Sequence, residues 1–214
     1  MAVSQLLQTE LRWGHDMLAI LWHFTPRKLL RTDRDEIVIG LESLALEHIS
    51  SVLLLLGTGD NTGSAFALAR PTVEAALRAV WLYVGATDHE VLKARTGHNK
   101  AYKSLFHMAR DIDRLQLTDG LFEHLVSAAD GLHGLTHGGL EQVGRRFDAA
   151  GDVVPSYDEG SVRACIRAVV NTGTMMLLIL CRMGTTELTA AQARVDKYQA
   201  AFMPMLEKLG PIPD

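Results

Sequence analysis

A chain of 214 residues, 48% apolar and 21% charged, carries enough apolar side chains to bury a core and too many for a disordered segment. Its formal charge of −4, from 21 Lys and Arg against 25 Asp and Glu, excludes whole-molecule attraction to phosphate backbones and leaves any nucleic-acid contact to a local basic patch. Cys165 and Cys181 fall on one predicted helix about 24 Å apart at the helical rise, beyond disulfide reach, so a reducing compartment is expected.

The first predicted helix runs from about Val3 to Phe24 and stops before Pro26. Glu10, Arg12 and Asp16 interrupt it where a signal peptide would be continuously apolar. A second helix, capped by Thr32 or Asp33, continues through Ile37, Leu41, Leu44, Ile49 and Val52 to Gly57, apolar on most of its circumference and expected to be central. Asn61 or Thr62 opens a third helix reaching about Gly85, with Pro71 predicting a kink or a fresh start. Helical pattern resumes from Asp88 to Arg114 with a weak point at Thr96-Gly97, and a short helix follows from Thr118 to about Asp130. Gly131, Gly134, Gly138 and Gly139 mark a helix end and turn, before a helix over Leu140 to Phe147 and a loop over Ala149 to Ser156. A long helix from Asp158 to Met183 and a last one from Thr189 to Leu209, relaxed at Pro204, close the chain.

No alternating run of strand length and no internal repeat is found, so the expectation is an all-α fold, one domain over 1–214, as a single bundle of about six to eight helices. The longest unbroken apolar runs, Val52–Leu56 and Met175–Cys181, are shorter than the roughly 20 residues of a membrane span. A cytoplasmic protein with no membrane contact is therefore expected.

Chemistry-bearing residues concentrate in two segments. On a helix, Arg70, Glu74, Arg78 and Trp81 fall within an arc of about 80° at 100° per residue, and the first three are the only charges between Asn61 and Asp88. Glu74 stands four residues from each arginine and can hold both; an exposed pair of this kind contributes only ~0.2–0.5 kcal/mol, a weak structural reason for keeping them. Gly63, Ala67 and Gly85 share the arc and would let a backbone or ligand approach. The plain alternative is a solvent face with Trp81 half-buried at its edge.

The second segment holds His133, Thr136, His137, Gln142, Arg145 and Arg146. His133 and His137 have metal-ligand spacing on an unbroken helix, and His48 could complete a three-histidine site. The glycines argue against that helix, no Glu follows His133, and no Glu-x-x-His pair for a di-iron site exists, so neither metal nor cofactor is expected. His137 with Arg145 and Arg146 suits metal-free phosphodiester chemistry, since imidazole moves a proton near neutral pH and guanidinium grips phosphate oxygens. A turn-capping histidine beside solvated arginines is the alternative. Dinucleotide, P-loop, hydrolase-elbow and zinc-ribbon signatures are missing from the sequence.

The strings Ala69-Arg70-Pro71-x-x-Glu74-x-x-x-Arg78-x-x-Trp81-Leu82 and Thr136-His137-Gly138-Gly139-x-x-Gln142-x-x-Arg145-Arg146 resemble the signatures of a bacterial family of helical proteins without assigned activity. More distantly the chain is similar to HEPN-like helical proteins, many of them dimeric toxin or phage-defence ribonucleases. Their usual arginine, followed by a histidine after about four to six residues, has no counterpart here, and a split site of Arg78 or Arg70 with His137 would take its place.

Two functions of different class follow. The first is a metal-independent ribonuclease with His137 as general acid or base, Arg70 and Arg78 on phosphate, and Glu74 orienting them, while Trp81, His133, Thr136, Gln142, Arg145 and Arg146 bind. The second is a noncatalytic helical module in which both segments form a buried polar network. Expected partners are a second copy of the chain, RNA and a cognate protein.

Overall fold

The computed structural model describes residues 4–25, 32–59, 61–97, 102–115, 123, 126, 127, 143–147, 151, 152, 157–180, 193, 196, 197, 200 and 204. Among these the fold is all-α, with six helices and no strand: α1 Gln5–Phe24, α2 Asp33–Thr58, α3 Thr62–Val84, α4 Asp88–Arg95, α5 Leu105–Asp113 and α6 Glu159–Leu180. The predicted stretches 116–122, 128–142 and 181–192 lie outside the described residues.

Local chemistry sets the boundaries. Ser4 caps α1 by accepting from the Leu7 amide, and Thr25 ends it in extended geometry before Pro26. Thr32 and Asp35 form a capping box on α2, and Gly59 terminates it at φ 74°, a left-handed conformation that a side chain would strain. Thr87 with Glu90 opens α4 in the same way, Ser104 caps α5, and Asp158 accepts from the Ser161 amide and hydroxyl to start α6. The predicted weak point at Thr96-Gly97 is a full break, with Gly97 at φ 67°.

Pro71 does not restart the helix: Thr62–Val84 is continuous through it. Proline removes the donor that would serve the Ala67 carbonyl, a local cost the surrounding packing absorbs. The neighbouring Thr72 hydroxyl donates to the Leu68 carbonyl at 2.8 Å.

Among the described residues all six helices contribute to the core: Met17 and Leu21 of α1, Leu46, Ile49 and Leu53 of α2, Leu77, Trp81 and Leu82 of α3, Val91 of α4, Met108 and Ile112 of α5, and Ile166, Val170 and Leu177 of α6. Each buried aliphatic of this size contributes roughly 1.5–3 kcal/mol relative to exposure. The most enclosed helices are α3 and α6 rather than α2, which leaves Leu44 and Leu54 at 40% and 64% exposure. Small residues at Ala65, Ala69, Ala75, Ala76 and Ala79 let neighbours close on α3, which explains why it replaces α2 at the centre.

Judged as whole helices rather than unbroken runs, α2 and α6 are long and apolar enough to cross a membrane, with mean hydropathy of 1.6 and 1.4. In this fold the apolar stretch of α6 is 67% buried and that of α2 is 39% buried. Between α1 and α6 sits a polar fastener: Arg163 and Arg167 both donate to Glu10, with Arg163 Nη2 at 3.0 Å and Arg167 Nε at 3.0 Å from Glu10 Oε1. Glu10 and Arg167 are only 2% and 8% exposed.

Candidate functional site

On α3, helical phasing makes the predicted stripe real. Arg70 Nε donates to Glu74 Oε1 at 3.0 Å and Arg78 Nη2 donates to Glu74 Oε2 at 3.1 Å, so one carboxylate holds two guanidiniums on one face. Their side chains are 16%, 25% and 33% exposed for Arg70, Glu74 and Arg78, neither a solvated surface nor a closed core. Arg78 lies over the Tyr102 ring, 4.9 Å from its centroid. Its Nε is buried with no hydrogen-bond partner among the described residues. Within the triad, Arg78 therefore keeps one buried donor that no described group satisfies.

Trp81 departs from the expected binding role and from the half-buried alternative. It is completely buried, and its indole Nε1 donates to Asp111 Oδ2 at 3.3 Å. Lys103 Nζ bonds the same carboxylate at 2.8 Å, reaches Glu90 at 3.3 Å and stands 5.4 Å from the indole centroid. Burial alone would raise the Asp111 carboxyl, but the bond from Lys103, helped by Trp81 and Arg114, holds it below the usual carboxylate range. The Asp111 bond likewise pushes the Lys103 ammonium up. Trp81 is thus an anchor joining α3 to α5.

The N-terminal end of the same face receives part of the second segment. A Cβ on Gly63 would stand 2.9 Å from Arg146 Nη2 and 2.9 Å from the Tyr157 hydroxyl, so only glycine admits both groups as they stand. Tyr157 stacks on Phe66 with centroids 5.0 Å apart, and the Arg145 guanidinium lies 5.5 Å from the Tyr157 centroid. Arg146 thereby meets α3 at Gly63, about 22 Å along the helix from Arg78 at 1.5 Å per residue, while Arg145 is placed through the Tyr157 ring. At Gly85 the space is filled by Trp81 itself. His133, Thr136, His137 and Gln142 lie outside the described residues.

His48, the one described member of the three-histidine set considered above, lies against α3. It hydrogen-bonds Pro71, whose only backbone hydrogen-bonding group is its carbonyl, and its Nδ1 is buried without a partner. Burial lowers its pKa despite that bond and the nearby Glu47 charge. Among the described residues no group of three His, Cys, Asp or Glu is placed to hold a metal ion. Cys165 is buried in apolar surroundings that push its thiol up to about 12, which leaves it an inert core residue; Cys181 lies outside the described residues.

Sequence reasoning missed Tyr102, Lys103, Asp111 and Tyr157, whose roles come from other elements folding onto α3. It also missed Glu42, fully buried on α2, which the sequence does not distinguish from the other carboxylates of the same helix. A cleft of about 520 Å³ at the α2–α4 corner, lined by Thr32, Asp33, Arg34, Asp88, Val91 and Leu92, contains no residue of the stripe. There Arg34 is committed to the Leu82 and Ala86 carbonyls and to Asp88.

Fold and site together define an all-α bundle with a partly open Arg-Glu-Arg face flanked by cation–aromatic pairs. The chain belongs to a family of unknown function, DUF6988, whose family model matches residues 42–208 and so takes in every residue of that face. This agrees with the expected family without assigned activity. No curated protein and no solved structure matches the chain significantly.

Proposed function

We propose that the protein is a HEPN-like, RNA-directed helical protein of a toxin or phage-defence system, acting in the cytoplasm as a homodimer, without metal or cofactor, as a ribonuclease. The observation that carries this reading is Arg78: fixed by Glu74 at one nitrogen, lying over an aromatic ring, one third exposed and with a donor unused. Guanidinium and aromatic faces side by side suit phosphate and an unstacked base respectively. The Arg145–Tyr157 pair repeats the arrangement at the other end of the face.

In the reaction, the RNA 2′-hydroxyl attacks the adjacent phosphorus, the P–O5′ bond breaks, and a 2′,3′-cyclic phosphate and a 5′-hydroxyl form. His137 transfers the proton as general acid or base, Arg78 and Arg70 offset the charge gathering on the phosphoryl oxygens, and Glu74 keeps both oriented. Purified protein incubated with total RNA in the absence of divalent metal tests this. Cleavage is expected from wild type and lost in His137→Ala and Arg78→Ala. Equal RNA integrity in all three samples, with wild type folded, overturns it.

The second reading, a noncatalytic module docking on a second copy or a cognate protein, is favoured by the pairing of Arg70 and Arg78 to Glu74. It expects Glu74→Ala to cost more than about 1.5 kcal/mol of stability, because docking would bury two guanidiniums that then lose their partner.

A further inference from the structure

We infer that Arg145, Arg146 and the Tyr157 hydroxyl form an oxyanion subsite for a phosphoryl group at the Gly63 end of α3, separate from the Arg78 end of the same face. The inference deepens the RNA reading and rests on it for the identity of the polymer, but the subsite is tested by binding alone.

Among the described residues neither Arg145 nor Arg146 has a counter-ion, which of the other described arginines holds only for the exposed Arg12 of α1. Arg34, Arg70, Arg78, Arg95, Arg110, Arg114, Arg163 and Arg167 each have a carboxylate within 4 Å. Arg145 and Arg146 have none among the described residues; Asp158, whose carboxyl is lowered chiefly by its bonds to Ser161 and only in the last place by Arg145, lies beyond pairing distance. Two neighbouring guanidiniums without a counter-ion carry a net positive charge that an anion relieves.

Geometry adds a third donor. The Tyr157 hydroxyl is buried, has no hydrogen-bond partner, and points with Arg146 Nη2 at the one residue of α3 that lacks a side chain there. An unpaired buried hydroxyl costs free energy, and an oxyanion accepting a hydrogen bond from it removes that cost. Arg146 is exposed, so its guanidinium can turn outward with the ion held between it and the hydroxyl. Asn61 makes no side-chain bond at the start of α3, and the positive end of a 23-residue helix faces the same spot. Stacking on Phe66 fixes the tyrosine ring and Arg145 lies against its face, so two of the three donors are held before the ion arrives.

The test titrates full-length protein with inorganic phosphate, following the Gly63 amide by NMR, and then with a 5′-phosphorylated oligoribonucleotide and its 5′-hydroxyl twin. Saturable shifts at Gly63 are expected. Arg146→Ala should weaken them about tenfold or more and Tyr157→Phe, which keeps the Phe66 stack, about fivefold, as expected for one charge-assisted and one neutral hydrogen bond. Preference for the phosphorylated oligonucleotide assigns a terminal phosphate, equal binding of the twins assigns a phosphodiester, and binding of inorganic phosphate alone assigns the free ion. RNA left intact alongside a normal phosphate response keeps the subsite and removes only the nuclease reading. Absence of a saturable shift with every probe, or shifts indifferent to both substitutions in folded protein, overturns the subsite.

Discussion

Among the described residues stand two Arg-Glu-Arg triads of the same composition in different settings. Glu10 of α1 receives Arg163 and Arg167 of α6, bridges 153 and 157 residues of sequence, and is sealed from solvent. Glu74 receives Arg70 and Arg78 of its own helix, with all three side chains partly in water and Arg78 Nε left over. A carboxylate sealed between two helices has nothing further to bind and serves to join them. A carboxylate that aligns two guanidiniums on an open face leaves them able to meet an anion. The same chemistry is thus a fastener where it is buried between elements and a poised surface where it is not.

Removing the carboxylates separates the two. Glu10→Ala should destabilise the protein by about 3–5 kcal/mol, because two guanidiniums lose their counter-charge where water cannot replace it. Chemical denaturation measures this, and a loss below about 1 kcal/mol would break the contrast between the triads.

Glu74→Ala is the next largest. Its two half-exposed helical pairs should together be worth roughly 0.4–1 kcal/mol, while RNA binding should change far more than stability. A stability loss above about 1.5 kcal/mol with RNA handling unchanged would move the Glu74 triad into the fastener class and favour the module reading.

The contrast also explains what was legible in the sequence. The Arg70-Glu74-Arg78 stripe could be phased because its members are four residues apart, and the Thr32 cap was readable as local chemistry; the caps at Ser4, Thr87 and Ser104 are equally local but were not read. The Glu10 triad could not be phased, since nothing in a single sequence couples residue 10 to residue 163. Trp81 was misread for the same reason: its partner Asp111 arrives from another helix, and an aromatic at the edge of a polar arc looks half-exposed until that helix is in place. Gly63 was read correctly as room for an approaching group, but which groups approach, Arg146 and Tyr157, is decided by chain segments far away. At Pro71 the helix continues instead of starting afresh, because tertiary packing outweighs the loss of one helical hydrogen bond.

The smallest expected effect is a pH dependence confined to the α3 side of the molecule. His48 lies against Pro71, the residue after Arg70, and its pKa in the folded protein is lowered below the ordinary value of 6.5 by burial. An unfolded chain then binds a proton at this histidine that the folded chain resists. Its stabilising contribution is complete above about pH 6.5 and is lost as the pH falls from there towards the lowered folded value. Denaturation midpoints measured from pH 7.5 down to 5.5 should fall less steeply in His48→Gln than in wild type. Because protonation strains the α2–α3 contact beside Arg70 and leaves the α1–α6 contact alone, amide exchange should accelerate in α3 before α1 on acidification. Acceleration of α1 first, or a pH slope untouched by the substitution, would place the acid-labile point at the Glu10 fastener instead and reverse the assignment of the weaker triad.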